Sequence, residues 1–206
     1  MNQPRHPMAD TCVMVFARAP LPGHCKTRLI PALGEQGAAR LHEQLVRRVL
    51  AEACRTAPAA LQLWCTPDIT DPFFAACAHD YPIVLRCQGD GDLGERMARA
   101  IEHALRAHER AIIIGADVPE LDSAYLLGAA SALERAVAVF GPAEDGGYVL
   151  VGLSQTVPQV FADIEWGGPQ VMAQTRARLH SLGMPAVELA TLWDLDRPED
   201  LARLQA

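Results

Sequence analysis

The chain carries one lysine, Lys26, although Lys and Arg together number 18. The arginines are scattered, and no basic block or basic helix face offsets a formal net charge of -7. That balance excludes a nucleic-acid footprint and means that any anionic ligand is held locally. Long apolar runs are also missing: "CVMVFA" and "AIIIGA" are far too short to cross a bilayer, and "MNQPRHPMAD" lacks the pattern of a signal peptide, so a cytoplasmic protein without a membrane partner is expected. The six cysteines, Cys12, Cys25, Cys54, Cys65, Cys77 and Cys87, form no C-x-x-C pair, which excludes an obvious zinc site or disulfide framework and leaves mostly buried thiols. No ligand spacing links His24, His42, His79, His103, His108 and His180, which are expected on the surface or on helix faces. Neither internal repeat nor linker is visible, and the 206 residues suffice for a single domain spanning 1–206. The composition, 50% hydrophobic and 21% charged, is that of a globular protein.

What is present is an alternation. Apolar, β-rich runs at 11–17, 61–66, 83–87, 111–116, 136–141 and 148–153 are separated by helical patterns at 35–55, 73–78, 92–108 and 123–134. A helix over 170–182, a strand near 186–189 and a short terminal helix complete the order. In the 92–108 segment Leu93, Met97, Ile101 and Leu105 recur at i, i+4 and predict one apolar face. Strands that are apolar throughout and alternate with helices indicate a mostly parallel sheet covered on both sides, a doubly wound α/β fold. Ligands in such folds collect at the carboxyl ends of the strands. Four unusual loops fall there: "ARAPLPGHCKTRL", "QGDGDLGERM", "GADVPE" and "GPAEDGGY".

In the first loop two prolines and a glycine keep the chain from entering a helix directly, leaving an extended segment with Arg18, Lys26 and Arg28. Three cations so close together suit a diphosphate, Arg through its fork and Lys as a point charge. "GHCKT" is not a Walker A loop, because Cys25 stands where the glycine before the lysine is required. The neighbouring cations would lower the pKa of Cys25, but no His–Asp partnership supports a catalytic thiol. Asp117 ends an apolar strand, where a lone carboxylate needs a partner or a metal; it is either a metal ligand or the N-cap of the following helix. Glu144 and Asp145 precede the Gly146–Gly147 turn, with Tyr148 after it, and face the same strand ends as the cationic loop, where an acceptor or a sugar could be held. Gly94 and Arg96 lie at a helix start whose amides suit a ribose, base or phosphate, or an ordinary cap. Asp196 and Glu199 have capping-box spacing with Pro198 in the first turn.

Taken in order, "ARAPLPGHCKTRL", "GDLGERM", "GADVP", "EDGGYVLVGL" and "DLDRPEDL" resemble a bacterial family of glycosyltransferase-like proteins associated with radical-SAM and selenoprotein-type gene products, also labelled arsenosugar-biosynthesis glycosyltransferases. The resemblance runs from about Thr11 to Leu204. It implies the nucleotide-diphospho-sugar transferase superfamily, with a three-layer α/β/α Rossmann-like GT-A fold, a mostly parallel mixed sheet and Mg2+ or Mn2+ as cofactor. By position Arg18, Lys26 and Arg28 would bind the diphosphate, and Asp117 would hold the metal. Asp196, or less readily Asp194, resembles the late metal-binding aspartate of related cytidylyltransferases. Two departures stand out: the chain has "ADVP" in place of D-x-D, and no "GxGTRxxPK" loop. "KTRL" also looks like the loop of phospholactate guanylyltransferases. The implied activity is sugar transfer from a nucleoside-diphosphate sugar to a small-molecule acceptor, with Lys26 against the leaving diphosphate and Asp145 as candidate base. The alternatives are nucleotidyl transfer from an NTP with release of pyrophosphate, and a nucleotide-binding domain without turnover.

Overall fold

A computed structural model describes residues 6–205, so the first five residues of the N-terminal stretch read above lie outside the described residues. One seven-stranded sheet runs through the molecule in the order β3-β2-β1-β4-β6-β5-β7. Its strands are β1 (Thr11–Arg18), β2 (Ala60–Thr66), β3 (Val84–Cys87), β4 (Arg110–Gly115), β5 (Ala138–Pro142), β6 (Tyr148–Leu153) and β7 (Ala186–Glu188). Only β6 runs against its neighbours, pairing antiparallel with both β4 and β5. The other contacts are parallel, so β1, β3, β4, β5 and β7 all end on one edge of the sheet. The four loops singled out in the sequence therefore share that edge, together with the segment after β7.

Alternation along β1 divides the core. Val13, Val15 and Ala17 face α1 (Ile30–Arg55), α2 (Pro72–Asp80) and α4 (Ser123–Ala132), whereas Cys12 and Met14 face α3 (Leu93–Leu105) and α5 (Val171–Ser181). Both faces of the central strands are dry, which is why these strands read as unbroken apolar runs. The expected α/β/α layering and mixed sheet are present, and the helices start and stop within a few residues of their predicted ends. Gly34 (φ 69°, ψ 166°) breaks the first turn of α1 from the rest, so the continuous helix begins where the periodicity begins. On α3, Met97 and Ile101 are buried, but Leu93 is 36% exposed at the helix start and does not join the predicted apolar face. The terminal helix is 3-10 over Pro198–Gln205. Asp200 Oδ2 accepts from the amides of Asp196 (3.0 Å) and Arg197 (2.7 Å), so the expected Asp196–Glu199 capping box is replaced by a bond from one residue further on.

A third, small cluster sets up the functional edge. Leu29, at the end of the loop after β1, packs with Ala38 and Leu45 of α1 and with Trp193 and Leu195. Residues 192–195 then run as an extended strap across the strand ends. Leu192 exchanges backbone bonds with Pro142 and Glu144, both at 3.0 Å, and Leu195 N donates to Asp117 O at 2.8 Å.

Candidate active site

Two cavities meet at this edge. The first, about 450 Å3, is polar and lined by Arg18, His24, Cys25, Lys26, Thr27, Arg28, His42, Asp117 and Asp196. All three predicted cations and both predicted metal ligands are thus brought together. Lys26 adopts a left-handed backbone conformation (φ 48°), uncommon for a residue with a side chain. That conformation sends its ammonium inward to Asp117 Oδ2 at 2.9 Å and to the carbonyl of Leu195. The lysine side chain is 3% exposed, whereas the Asp117 carboxylate remains 43% accessible. Arg28 pairs with Asp196.

Asp117 does not cap the next helix; Asp122 does, accepting from Tyr125 N at 2.8 Å. Burial opposes ionisation of Asp117, but Lys26 and His42 outweigh it and hold the carboxyl down at about 2. Its Oδ1 is buried without a hydrogen-bond partner. His42 lies on a helix face, as expected of these histidines, but on the buried one, beside this carboxylate. Its Nε2 donates to the carbonyl of Arg18 at 2.9 Å, and Nδ1 stands 3.5 Å from Asp117 Oδ1. Helix periodicity alone could have found it, since His42 shares a face of α1 with the buried Ala38, Leu45, Val46 and Val49. Cys25 corrects another expectation. Burial first, and then Asp117, push its thiol up despite the nearby Lys26 and Arg18, so it is no activated thiolate.

The second cavity, about 270 Å3, adjoins the first through Asp117. Phe16, Leu93, Met97, Val151, Trp166 and Val171 give it apolar walls, and Asp117, Asp145 and Asp194 stand among its lining residues. Tyr148 also lines it. Gly147 N donates to Asp145 Oδ1 at 2.8 Å, an Asx turn that fixes the carboxylate after β5. Gly146 (φ 90°) is required there, because a Cβ would come within 2.0 Å of Pro169 O. Glu144 points away and binds Arg203 through two bonds of 2.7 and 3.0 Å.

Gly94 and Arg96 line neither cavity. Arg96 bonds Gln88 Oε1 (3.0 Å) and Asp92 O (3.2 Å), while Asp92 and Glu95 form a complete capping box. A Cβ on Gly94 would meet Trp166 at 2.7 Å and Phe161 O at 2.9 Å, so this glycine seats the Trp166 ring. Gly94→Ala is expected to cost about 1–3 kcal/mol by overpacking and to shift the Trp166 indole signal, readable by chemical denaturation and by NMR.

Oxygen donors of this kind suit Mg2+ or Mn2+. Asp117 keeps a partly accessible carboxylate beside Lys26, and Asp194 and Asp196 each share a cavity with it. Burial, then Asp145 and Asp196, raise the Asp194 carboxyl to about 6, more than Lys26 lowers it. Among the described residues no three His, Cys, Asp or Glu side chains are gathered closely enough to hold a metal unaided. The site therefore fits an ion shared with ligand phosphates, as Mg2+ often is. Both late acids share a cavity with Asp117, Asp194 the apolar one and Asp196 the cationic one, where it pairs with Arg28.

Because the raised Asp194 pKa favours its neutral form in the fold, its contribution to stability is complete below the ordinary 3.8 and lost as pH rises through about 6. Asp194→Asn is accordingly expected to raise the melting temperature of the metal-free protein at about pH 8 and to leave it unchanged near pH 4. Melting curves across that range, with and without Mn2+, check this; a lower melting temperature at high pH would contradict it.

The sheet order and the reversed β6 define the α/β fold of nucleotide-diphospho-sugar transferases, the GT-A-like class. Within it, the chain belongs to DUF2064, a family described as uncharacterized proteins conserved in bacteria, which matches residues 49–168. A candidate nucleotide-diphospho-sugar transferase from Desulfovibrio desulfuricans G20 is 30% identical, with a TM-score of 0.88 over 96% of this chain and 87% of its own. The fold is shared with two more distant proteins. One is 4-diphosphocytidyl-2C-methyl-D-erythritol synthase of Anaerococcus prevotii DSM 20548 (9% identity, TM-score 0.64, 95% and 98% of the two chains). The other is glucosyl-3-phosphoglycerate synthase of Mycobacterium tuberculosis, solved with Mn2+, UDP and glucosyl-3-phosphoglycerate (13%, 0.55, 94% and 74%). No curated protein matches the sequence. Among the described residues no helix is long and apolar enough to cross a membrane.

Proposed function

We propose that the chain acts as one nucleotide-diphospho-sugar transferase-like domain, a metal-dependent cytoplasmic transferase that moves a sugar from a nucleoside-diphosphate sugar to a small-molecule acceptor. The observation that carries this reading is Asp117, which lines both cavities and is ion-paired to Lys26 at 2.9 Å. A donor diphosphate on the cationic side and an acceptor on the apolar side would meet at that carboxylate. The fold shared with the nucleotide-dependent enzymes above supports a nucleotide substrate.

In this reading Arg18, Lys26 and Arg28 bind the diphosphate, and Lys26 stands where negative charge grows as the sugar–phosphate bond breaks. Asp117, with Asp196 or Asp194, would hold a divalent ion, which would supply further positive charge to the leaving group. Asp145, oriented by its own turn, takes the proton of the acceptor hydroxyl. His42 holds the Arg18 carbonyl and so the start of the loop. Nucleotidyl transfer to a phosphorylated acceptor needs the same cations, but it also needs a cation for the acceptor phosphate. Among the described residues that line the acceptor cavity there is no Lys, Arg or His.

A coupled assay with Mg2+ or Mn2+ separates the two reactions. Free nucleoside diphosphate released from UDP-, GDP-, ADP- or CDP-sugars is the expected result; pyrophosphate released from an NTP would replace glycosyl by nucleotidyl transfer.

A further inference from the structure

The walls of the second cavity say what kind of acceptor fits it. Its body is apolar, lined by Phe16, Met97, Val151, Trp166 and Val171. Aromatic rings continue behind the wall, Trp166 edge-on to Tyr148 at 6.2 Å and Tyr148 edge-on to Phe140 at 5.2 Å. At about 270 Å3 the space exceeds the roughly 150 Å3 that admits benzene in an engineered cavity. It lies near the lower end of small-molecule sites, so one ring or a short branched chain fills it.

Charge narrows the choice. The ionisable groups along the lining, apart from the Tyr148 phenol, are Asp117, Asp145 and Asp194. Lys26 meets the lining only through its ion pair with Asp117, and Arg28 is paired with Asp196. A phosphate or carboxylate entering this space would face carboxylates across an apolar, weakly screening wall. A neutral hydroxyl or an ammonium meets no such opposition.

We propose that this cavity selects a compact, non-anionic acceptor with an aromatic or branched aliphatic body, its nucleophilic hydroxyl at the carboxylate rim beside Asp145. The inference rests on the transfer reading of the site and names the class of molecule that receives the group.

The test uses the whole protein and three probes of similar shape: 2-phenylethanol, tyramine and phenyl phosphate, titrated by calorimetry and by 1H–15N NMR of the indole groups. Binding of UDP with Mn2+ is measured on the same samples. The expected result is saturable binding of 2-phenylethanol and tyramine, with phenyl phosphate at least about tenfold weaker. Trp166→Ala should weaken the neutral probe about tenfold. Phenyl phosphate binding as tightly as the neutral probe would overturn the proposal. So would UDP binding without any saturable binding of 2-phenylethanol or tyramine, a result that leaves the nucleotide site standing. Probe binding with no response to any nucleotide would uphold the cavity's selectivity and remove the transfer reading instead.

Discussion

Replacing Lys26 by Met is expected to lower the rate of group transfer by about 100- to 1000-fold while the protein stays folded. The ammonium is the one positive charge that the loop after β1 presents from a buried position, so its direction is fixed before any ligand arrives. Loss of such a preorganised charge falls on kcat more than on KM, because the leaving diphosphate gains charge only as the reaction proceeds. Met keeps an unbranched stem of similar length and removes the charge. The abandoned Asp117 carboxylate is 43% accessible, and water takes up part of the lost attraction. Steady-state kinetics with a saturating donor would show the effect, and unchanged turnover would remove Lys26 from the mechanism. Acid unfolding gives a second reading. Asp117 is held down at about 2, so its stabilising contribution exists above the ordinary 3.8 and disappears only as pH falls through about 2. Without Lys26 that loss begins at higher pH, and the acid transition moves up.

Asp117→Asn is expected to have the opposite balance, with a rate loss of at least about 100-fold accompanied by a clear loss of stability. The lysine left behind is 3% exposed and keeps only the Leu195 carbonyl. Removing one partner of a fully buried pair costs about 3–5 kcal/mol. The exposure of Asp117 reduces this to about 2–3 kcal/mol, or about 4–12 °C in melting temperature for a chain of this size. Combining Asp117→Asn with Lys26→Met removes both charges; the melting temperature should recover while activity does not. Thermal melts of the two single variants and the double variant form the cycle, and strictly additive losses would show that the two side chains are not coupled.

The difference between what the sequence allowed and what the fold adds is a difference of range. Apolar runs and i, i+4 spacing report contacts within one element, and they located β1, β4 and α3. The loop with Lys26, the acid after β4 and the turn around Asp145 were visible because loops rich in charge and glycine beside apolar strands are locally unusual. The carboxylate partner of His42, the place of Trp166 and the split of Asp194 and Asp196 between two cavities were not visible in the same way. A histidine in a long helix, a tryptophan in "EWGGP" and two aspartates two positions apart acquire their roles from segments far away in the chain. The "WGG" stretch held one usable signal, a large aromatic next to a glycine pair, the composition of a close-packed binding loop. Cys25 shows the reverse error: its sequence neighbours are cations, but in space burial and Asp117 dominate.

The strap that carries Leu195 couples the two termini of the chain. The Lys26–Leu195 contact joins positions 169 apart, a closure whose entropic cost is offset only when nearly the whole sheet has formed. The catalytic edge is thus assembled late in folding. A truncation or proteolytic nick that spares every strand but releases the last dozen residues would leave a well-formed sheet with an incompetent loop at its other end.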